Sequence, residues 1–266
     1  MNLVRPTDTS NEEADLPDDT GFLPVKSADR TLDVLEELAQ AGHLTRSDLT
    51  RRLKIPKSSL HGILRTLELR GWVEVDPGGS TYQLGVRSLV VGASFVDEDL
   101  VVARTASVLD ALAAATGETV HLGRLQGSEI VYMAKRESVH PLRMFSAVGR
   151  RLPAHATALG KALLAQRCDD DVRAILPDVL VPLTPRTVCD PKVLIERLAD
   201  VRELGYAIDN EEATVGLRCF GIALPSKTPA INAISISVPV ARLDAESEAR
   251  VIAELIAAVD GQPSGS

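Results

Sequence analysis

Cysteine is scarce in this chain of 266 residues, which holds only Cys168, Cys189 and Cys219. No two of them form a C-x-x-C pair. An odd number argues against a disulfide framework, so a reducing, cytoplasmic setting is expected. Long apolar runs are missing. No stretch of about 18 apolar residues exists, so no transmembrane helix and no membrane partner are expected. The N-terminus has no basic segment leading into an apolar core, so no secretion signal is read. Catalytic signatures are missing too: there is no P-loop, no G-x-G-x-x-G, no H-E-x-x-H and no G-x-S-x-G. Cations are not in excess, since the formal net charge is −8. What remains is 45% hydrophobic and 25% charged, an ordinary globular composition long enough for two domains.

The charge is unevenly placed. Residues 1–25 set Arg5 against Asp8, Glu12, Glu13, Asp15, Asp18 and Asp19, a net −5. They are acidic, polar and aperiodic, and read as a disordered leader. Residues 44–70 set seven cations (Arg46, Arg51, Arg52, Lys54, Lys57, Arg65, Arg70) against Asp48 and Glu68, a net +5. Attraction to phosphate depends on the field within a Debye length, roughly 8–10 Å, and not on the total charge. A solvated basic helix face is the plain alternative.

Inside that basic stretch, Leu60, Ile63, Leu64 and Leu67 fall at i, i+3, i+4 and i+7, one apolar stripe on a helix. The opposite face carries Lys57, Ser58, Ser59, His61 and Arg65. Pro56 suits a first helical position, where its missing N–H would be unpaired anyway. Before it, Thr45 and Asp48 read as a capping box for another short helix that buries Leu49 and Leu53. An earlier helix over 27–41 places Leu32, Leu35 and Leu38 inward and ends at Gly42. After it, Trp72, Val73 and Val75 form a strand, residues 76–80 a turn and residues 81–84 a return strand. The whole of 26–85 reads as a winged helix-turn-helix. Its DNA-facing candidates are Thr45, Arg46, Lys57, Ser58, Ser59, His61, Gly62 and Arg65, with Gly78 and Gly79 in the wing.

Residues 86–116 are helical and apolar, with Leu89, Ala93, Val96 and Leu100 forming one seam and Leu109, Leu112 and Ala113 continuing it. They are expected to form one or two linker helices that pair with a second copy. Residues 117–260 mix strands and helices without strict alternation. Strands are expected over 119–125, 130–135, 142–145, 206–208, 215–224 and 233–240. Helices are expected over 157–166, 170–175, 192–204 and 245–259. That pattern suggests an α+β domain with a mainly antiparallel sheet. Residues 261–266 read as a flexible tail.

In this second domain, period two puts Ser235 and Ser237 on one strand face and Ile234 and Ile236 on the other. Two hydroxyls on one face are either solvated decoration or the few polar groups that orient a small ligand. Cys219 on a neighbouring strand and Asp209 near another would complete a cluster. Gly160, at a helix start, either offers free N–H groups to an anion or permits close packing. The rival chemistries are a zinc site from His121, His155 and Cys219 and a thiol enzyme using Cys219. A lone cysteine between Leu217 and Phe220 is more often a small buried hydrophobe. No metal, cofactor or catalytic residue is assigned.

The motifs together carry a resemblance. A winged helix is followed by GRRLPAHATALGKALLA (Gly149–Ala165), LGYAIDNEE (Leu204–Glu212), GLRC (Gly216–Cys219) and AISISVP (Ala233–Pro239). In this joint order they resemble the IclR family of bacterial transcription factors over about residues 25–259. The resemblance implies a winged helix, a linker helix and an effector domain distantly like a GAF fold. It also implies dimers or dimers of dimers on palindromic operator DNA, controlled by a small organic acid or polyol, and no enzyme activity. It places the effector against Gly160, Asp209, Cys219, Ser235 and Ser237. A repressor is expected more than an activator, and a constitutive DNA-binding protein is the remaining alternative. Where many members have arginine in the recognition helix, this chain has Gly62, which costs about 1 kcal/mol of helix stability against alanine.

Overall fold

The computed structural model describes residues 23–141, 146–226 and 228–260. The strand expected over 142–145, most of the acidic leader and the C-terminal tail lie outside the described residues. Two compact units divide between Ser94 and Phe95.

The first unit opens with α1 (Lys26–Ala41). Its core side is Val34 and Leu38, with Leu35 half-buried, while Leu32 is 57% exposed. The expectation for Leu32 is therefore corrected. Val34 and Leu38 stand four residues apart on one face, and Leu32 lies roughly 200° from Val34 at about 100° per residue. Gly42, at φ +78°, closes the helix with its N–H on the Leu38 carbonyl. A two-residue strand, β1 (Leu44–Thr45), leads into α2 (Arg46–Leu53). Thr45 and Asp48 make the reciprocal capping box: the Asp48 N–H donates to Thr45 Oγ1 at 3.1 Å and the Thr45 N–H to Asp48 Oδ2 at 3.2 Å. Next comes α3 (Lys57–Leu69), with Pro56 at the N-cap, one position earlier than expected. Its stripe buries Leu60, Leu64 and Leu67 against Leu49 and Val34, with Ile63 half-buried. The hairpin of β2 (Val73–Val75) and β3 (Thr81–Leu84) follows, and β3 lies between β1 and β2. Asp76 ties its turn, accepting from the N–H groups of Ser80 at 2.7 Å and Thr81 at 2.6 Å.

The chain then runs through α4 (Val86–Glu98) and α5 (Leu100–Thr116). The division between units falls within α4, and none of its residues is buried. Leu89 and Leu100 are 70% and 77% exposed and Ala93 is exposed too, so the expected seam is not covered within one chain. In α5, Leu109 and Leu112 are buried as expected, with Val108 beside them.

The second unit is a six-stranded antiparallel sheet with helices on both faces. In chain order come β4 (Thr119–Gln126), β5 (Glu129–Arg136), β6 (Arg151–Pro153), α6 (Ala158–Leu164), α7 (Asp169–Ile175) and α8 (Pro191–Leu204). Then follow β7 (Ala207–Asn210), β8 (Leu217–Ala223), β9 (Asn232–Pro239) and α9 (Ala245–Asp260). The strand order is β6-β5-β4-β9-β8-β7. One face packs Val120, Leu122, Phe220, Ile234 and Ile236 against apolar side chains of α5 and α9. The other face packs under α6, α7 and α8. A side chain on Gly221 would meet the Ala158 backbone at 2.7 Å, and one on Gly160 would overlap the Ala154 carbonyl. Glycine at these two points lets α6 lie directly on the sheet and on the turn before it.

Candidate functional site

The first candidate surface is the outer face of α3. Its buried stripe leaves Lys57, Ser58, His61, Gly62 and Arg65 exposed, with Ser59 half-buried. Arg65 is paired with Glu68 at 3.2 Å, across an exposed i, i+3 contact that solvent screens. Arg51 and Arg52 are held by Asp48 and Glu37. Among the described residues, Arg46, Lys54 and Lys57 enter no ion pair, so their charge is available to phosphate. Thr45 is committed to its cap, its hydroxyl donating to Asp48 at 2.6 Å, and it serves the surface by fixing α2. Gly78 and Gly79 are exposed at the hairpin tip, with Gly79 at φ +72°. A Cβ on Gly62 would meet nothing within 4 Å, so packing inside the chain does not call for glycine there.

The second candidate is a cavity between the sheet and α6. Asp209, Cys219, Ser235 and Ser237 share its lining with Tyr132 and Thr157. Strand register explains the grouping: Asp209 lies opposite Cys219 and Cys219 opposite Ser237, so all three side chains point to one face. The cavity volume is about 10 Å³, room for about one water molecule. Asp209 Oδ1 accepts from the N–H groups of Glu212 at 2.7 Å and Ala213 at 3.2 Å. Burial pushes its carboxyl up to about 6, against the pull of the Lys161 charge. Burial, and then the Asp209 charge, push the Cys219 thiol far above its ordinary range. A thiol held protonated in this way is not an activated nucleophile, and the thiol-enzyme alternative loses its basis.

Gly160 stands apart from this group. Its N–H is taken by Thr157 Oγ1 at 3.0 Å, and its missing side chain is filled by Ala154. Of its two readings, the geometry supports close packing. Beside it, Lys161 and Glu212 form an ion pair of 2.6 Å with both side chains 3% exposed. Sequence reasoning missed Lys161, Glu212, Tyr132 and Thr157. Only Thr157, three residues ahead of Gly160 as a hydroxyl cap, carried a local signal. His121 and His155 do not join Cys219, and among the described residues no three His, Cys, Asp or Glu side chains gather as metal ligands.

Two family descriptions match the chain. The IclR helix-turn-helix domain covers residues 27–77, and the bacterial transcriptional regulator IclR C-terminal domain covers residues 93–262. This chain belongs to the IclR family of transcriptional regulators. The relatives of this IclR-family chain include the HTH-type transcriptional regulator XynR of Escherichia coli K12. That protein is 34% identical over 223 residues, spanning 83% of this chain and 88% of the relative. The transcriptional repressor IclR of the same organism is 32% identical over 224 residues, 82% of each chain. Among solved structures, an IclR-type regulator from Alicyclobacillus acidocaldarius superposes with a TM-score of 0.79 at 25% identity, covering 89% of this chain and 97% of that one. The family members matched are described as transcriptional regulators. No helix among the described residues is long and apolar enough to cross a membrane.

Proposed function

We propose that this IclR-family regulator is a cytoplasmic, ligand-controlled repressor of a metabolic operon, bound as a dimer or tetramer to a palindromic operator. Residues 26–85 carry the DNA contact and residues 86–116 join the copies. Residues 117–260 hold a small organic acid or polyol. The observation that carries the reading is the outer face of α3, polar and cationic over a stripe that buries Leu60, Leu64 and Leu67.

Lys57, Ser58, Ser59, His61 and Arg65 enter the major groove, and Arg46 and the wing at Gly78 and Gly79 reach the backbone. Two such helices about 34 Å apart read the two half-sites. The effector rests against Asp209, Cys219, Ser235 and Ser237, and Gly160 positions α6 beside it. Ligand binding shifts the population between DNA-competent and incompetent states, with a coupling of about 1–3 kcal/mol. A repressor fits relatives such as the E. coli repressor IclR.

The test is fluorescence anisotropy of the full chain on the labelled upstream region of its own gene. Arg65→Ala weakens binding about tenfold or more, the scale of one lost base contact. Undiminished affinity would contradict the assigned face. A constitutive DNA-binding protein would show the same operator affinity with every acid and polyol added.

A further inference from the structure

Among the described residues, four buried side-chain polar atoms have no hydrogen-bond partner: Thr119 Oγ1, His121 Nδ1, Glu212 Oε2 and Arg218 Nε. Two of the four sit together on β4, and both side chains are 1% exposed. Burying such a group unpaired is costly, and each case calls for a reason.

The strand register supplies one. Asp209, Cys219, Ser237 and Thr119 are consecutive partners across β7, β8, β9 and β4, so they form one row on one face. Ser235 and His121 are partners in the next row. The polar row that lines the cavity from β7, β8 and β9 therefore continues onto β4, just beyond the present lining, and it ends at the two unpaired atoms. The His121 ring stacks on Tyr132, which lines the cavity, at 4.5 Å between centroids. Its Nε2 is used by Ser146 Oγ at 2.7 Å, which leaves Nδ1 unpaired.

We propose that Thr119 and His121 extend the effector site onto β4 and read a hydroxyl of the ligand, which is a polyhydroxylated chain of five or six carbons, as a sugar acid or a sugar alcohol. This rests on the effector reading above. A hydroxyl both donates and accepts, so it satisfies Thr119 and either tautomer of His121. Burial, with the nearby Lys135 charge, keeps His121 neutral, its value pushed down to about 3. The contact is therefore a neutral hydrogen bond and not an ion pair. Length sets the carbon count. Neighbouring strands lie about 4.8 Å apart, so the row from β7 to β4 covers roughly 14 Å. With carbon–carbon bonds near 1.5 Å, a two- or three-carbon acid bridges adjacent strands only. A five- or six-carbon chain reaches polar groups along the row. The cavity as it stands has room for about one water molecule, so each of these ligands must part the walls on entry.

Calorimetric titration of the full chain with glycolate, glycerate, gluconate and sorbitol tests this. Gluconate or sorbitol binds wild type at least tenfold more tightly than glycolate or glycerate, and the pair separates sugar acid from sugar alcohol. Thr119→Val weakens the longer ligand about tenfold and leaves glycolate unchanged, while its melting temperature stays level or rises because an unpaired hydroxyl is gone. Thr119→Ser keeps the hydroxyl and restores affinity, which a purely structural role would not require. Glycolate binding as tightly as gluconate, or full affinity in Thr119→Val, overturns the proposal while leaving the effector reading intact. No heat from any of the four, with operator binding also indifferent to them, overturns both.

Discussion

Asp209 is the residue where site and stability meet. Its folded carboxyl titrates near 6 against an ordinary 3.8. The native state thus holds a proton that the unfolded chain has released between those values, and stability falls as pH rises across that window. Asp209→Asn keeps the oxygen that accepts from Glu212 and Ala213. It should melt higher than wild type at pH 7–8, by on the order of 2–3 kcal/mol, with the gap closing below pH 4. Equal melting curves at both pH values would remove burial as the cause. Gly62 offers the opposite test. With open space around its Cβ position, Gly62→Ala should stabilise the protein by about 1 kcal/mol. If the DNA backbone or a base edge closes on that point, operator affinity falls while the melting temperature rises. The sequence marked Asp209, Cys219, Ser235 and Ser237 because period two and motif order are local signals. It could not mark Thr119 or Glu212, and it raised His121 only as a zinc ligand. Their importance lies in strand register and in missing partners, which appear only when distant segments meet.

At the scale of elements, what was legible follows the strength of local patterning. The capping box of α2 and the stripe of α3 are written in four to eight adjacent residues, and both formed as read. Strands β1 and β6 have two and three residues, too few to show alternation, and they exist because a partner strand lies beside them. Leu32 went the wrong way because α1 carries more leucines than its narrow core face accepts. Helix α6 shows the limit most clearly, since all seven of its residues are buried, including a lysine. The buried Lys161 is tolerable only because Glu212 reaches it from the loop after β7. Lys161→Met should cost up to about 3–5 kcal/mol, because the buried Glu212 carboxylate then keeps only its longer contact to Arg197, at 3.6 Å. Adding Glu212→Leu should recover most of that loss. Denaturant unfolding of the single and double variants measures both, and a double variant no better than the single would show that the pair is not coupled.

At the scale of the whole molecule, α4 exposes Leu89, Val90, Val91 and Phe95, at 48–70% each. Exposed apolar side chains gathered on one helix suit an association site, and the proposed function assigns them to a second copy of the chain. Leu89→Glu with Phe95→Glu should shift the sedimentation profile toward monomer and weaken operator binding. An unchanged profile would place the association elsewhere. A last consequence comes from how little room the effector cavity leaves. As it stands the cavity has room for about one water molecule, so an arriving metabolite waits for the walls to move apart. Its capture should therefore be gated: in stopped flow, the observed rate climbs with concentration and then levels off at the frequency of opening. The apparent affinity is reduced by the fraction of time spent shut, and substitutions that loosen the walls would tighten the sensor without touching a single ligand contact.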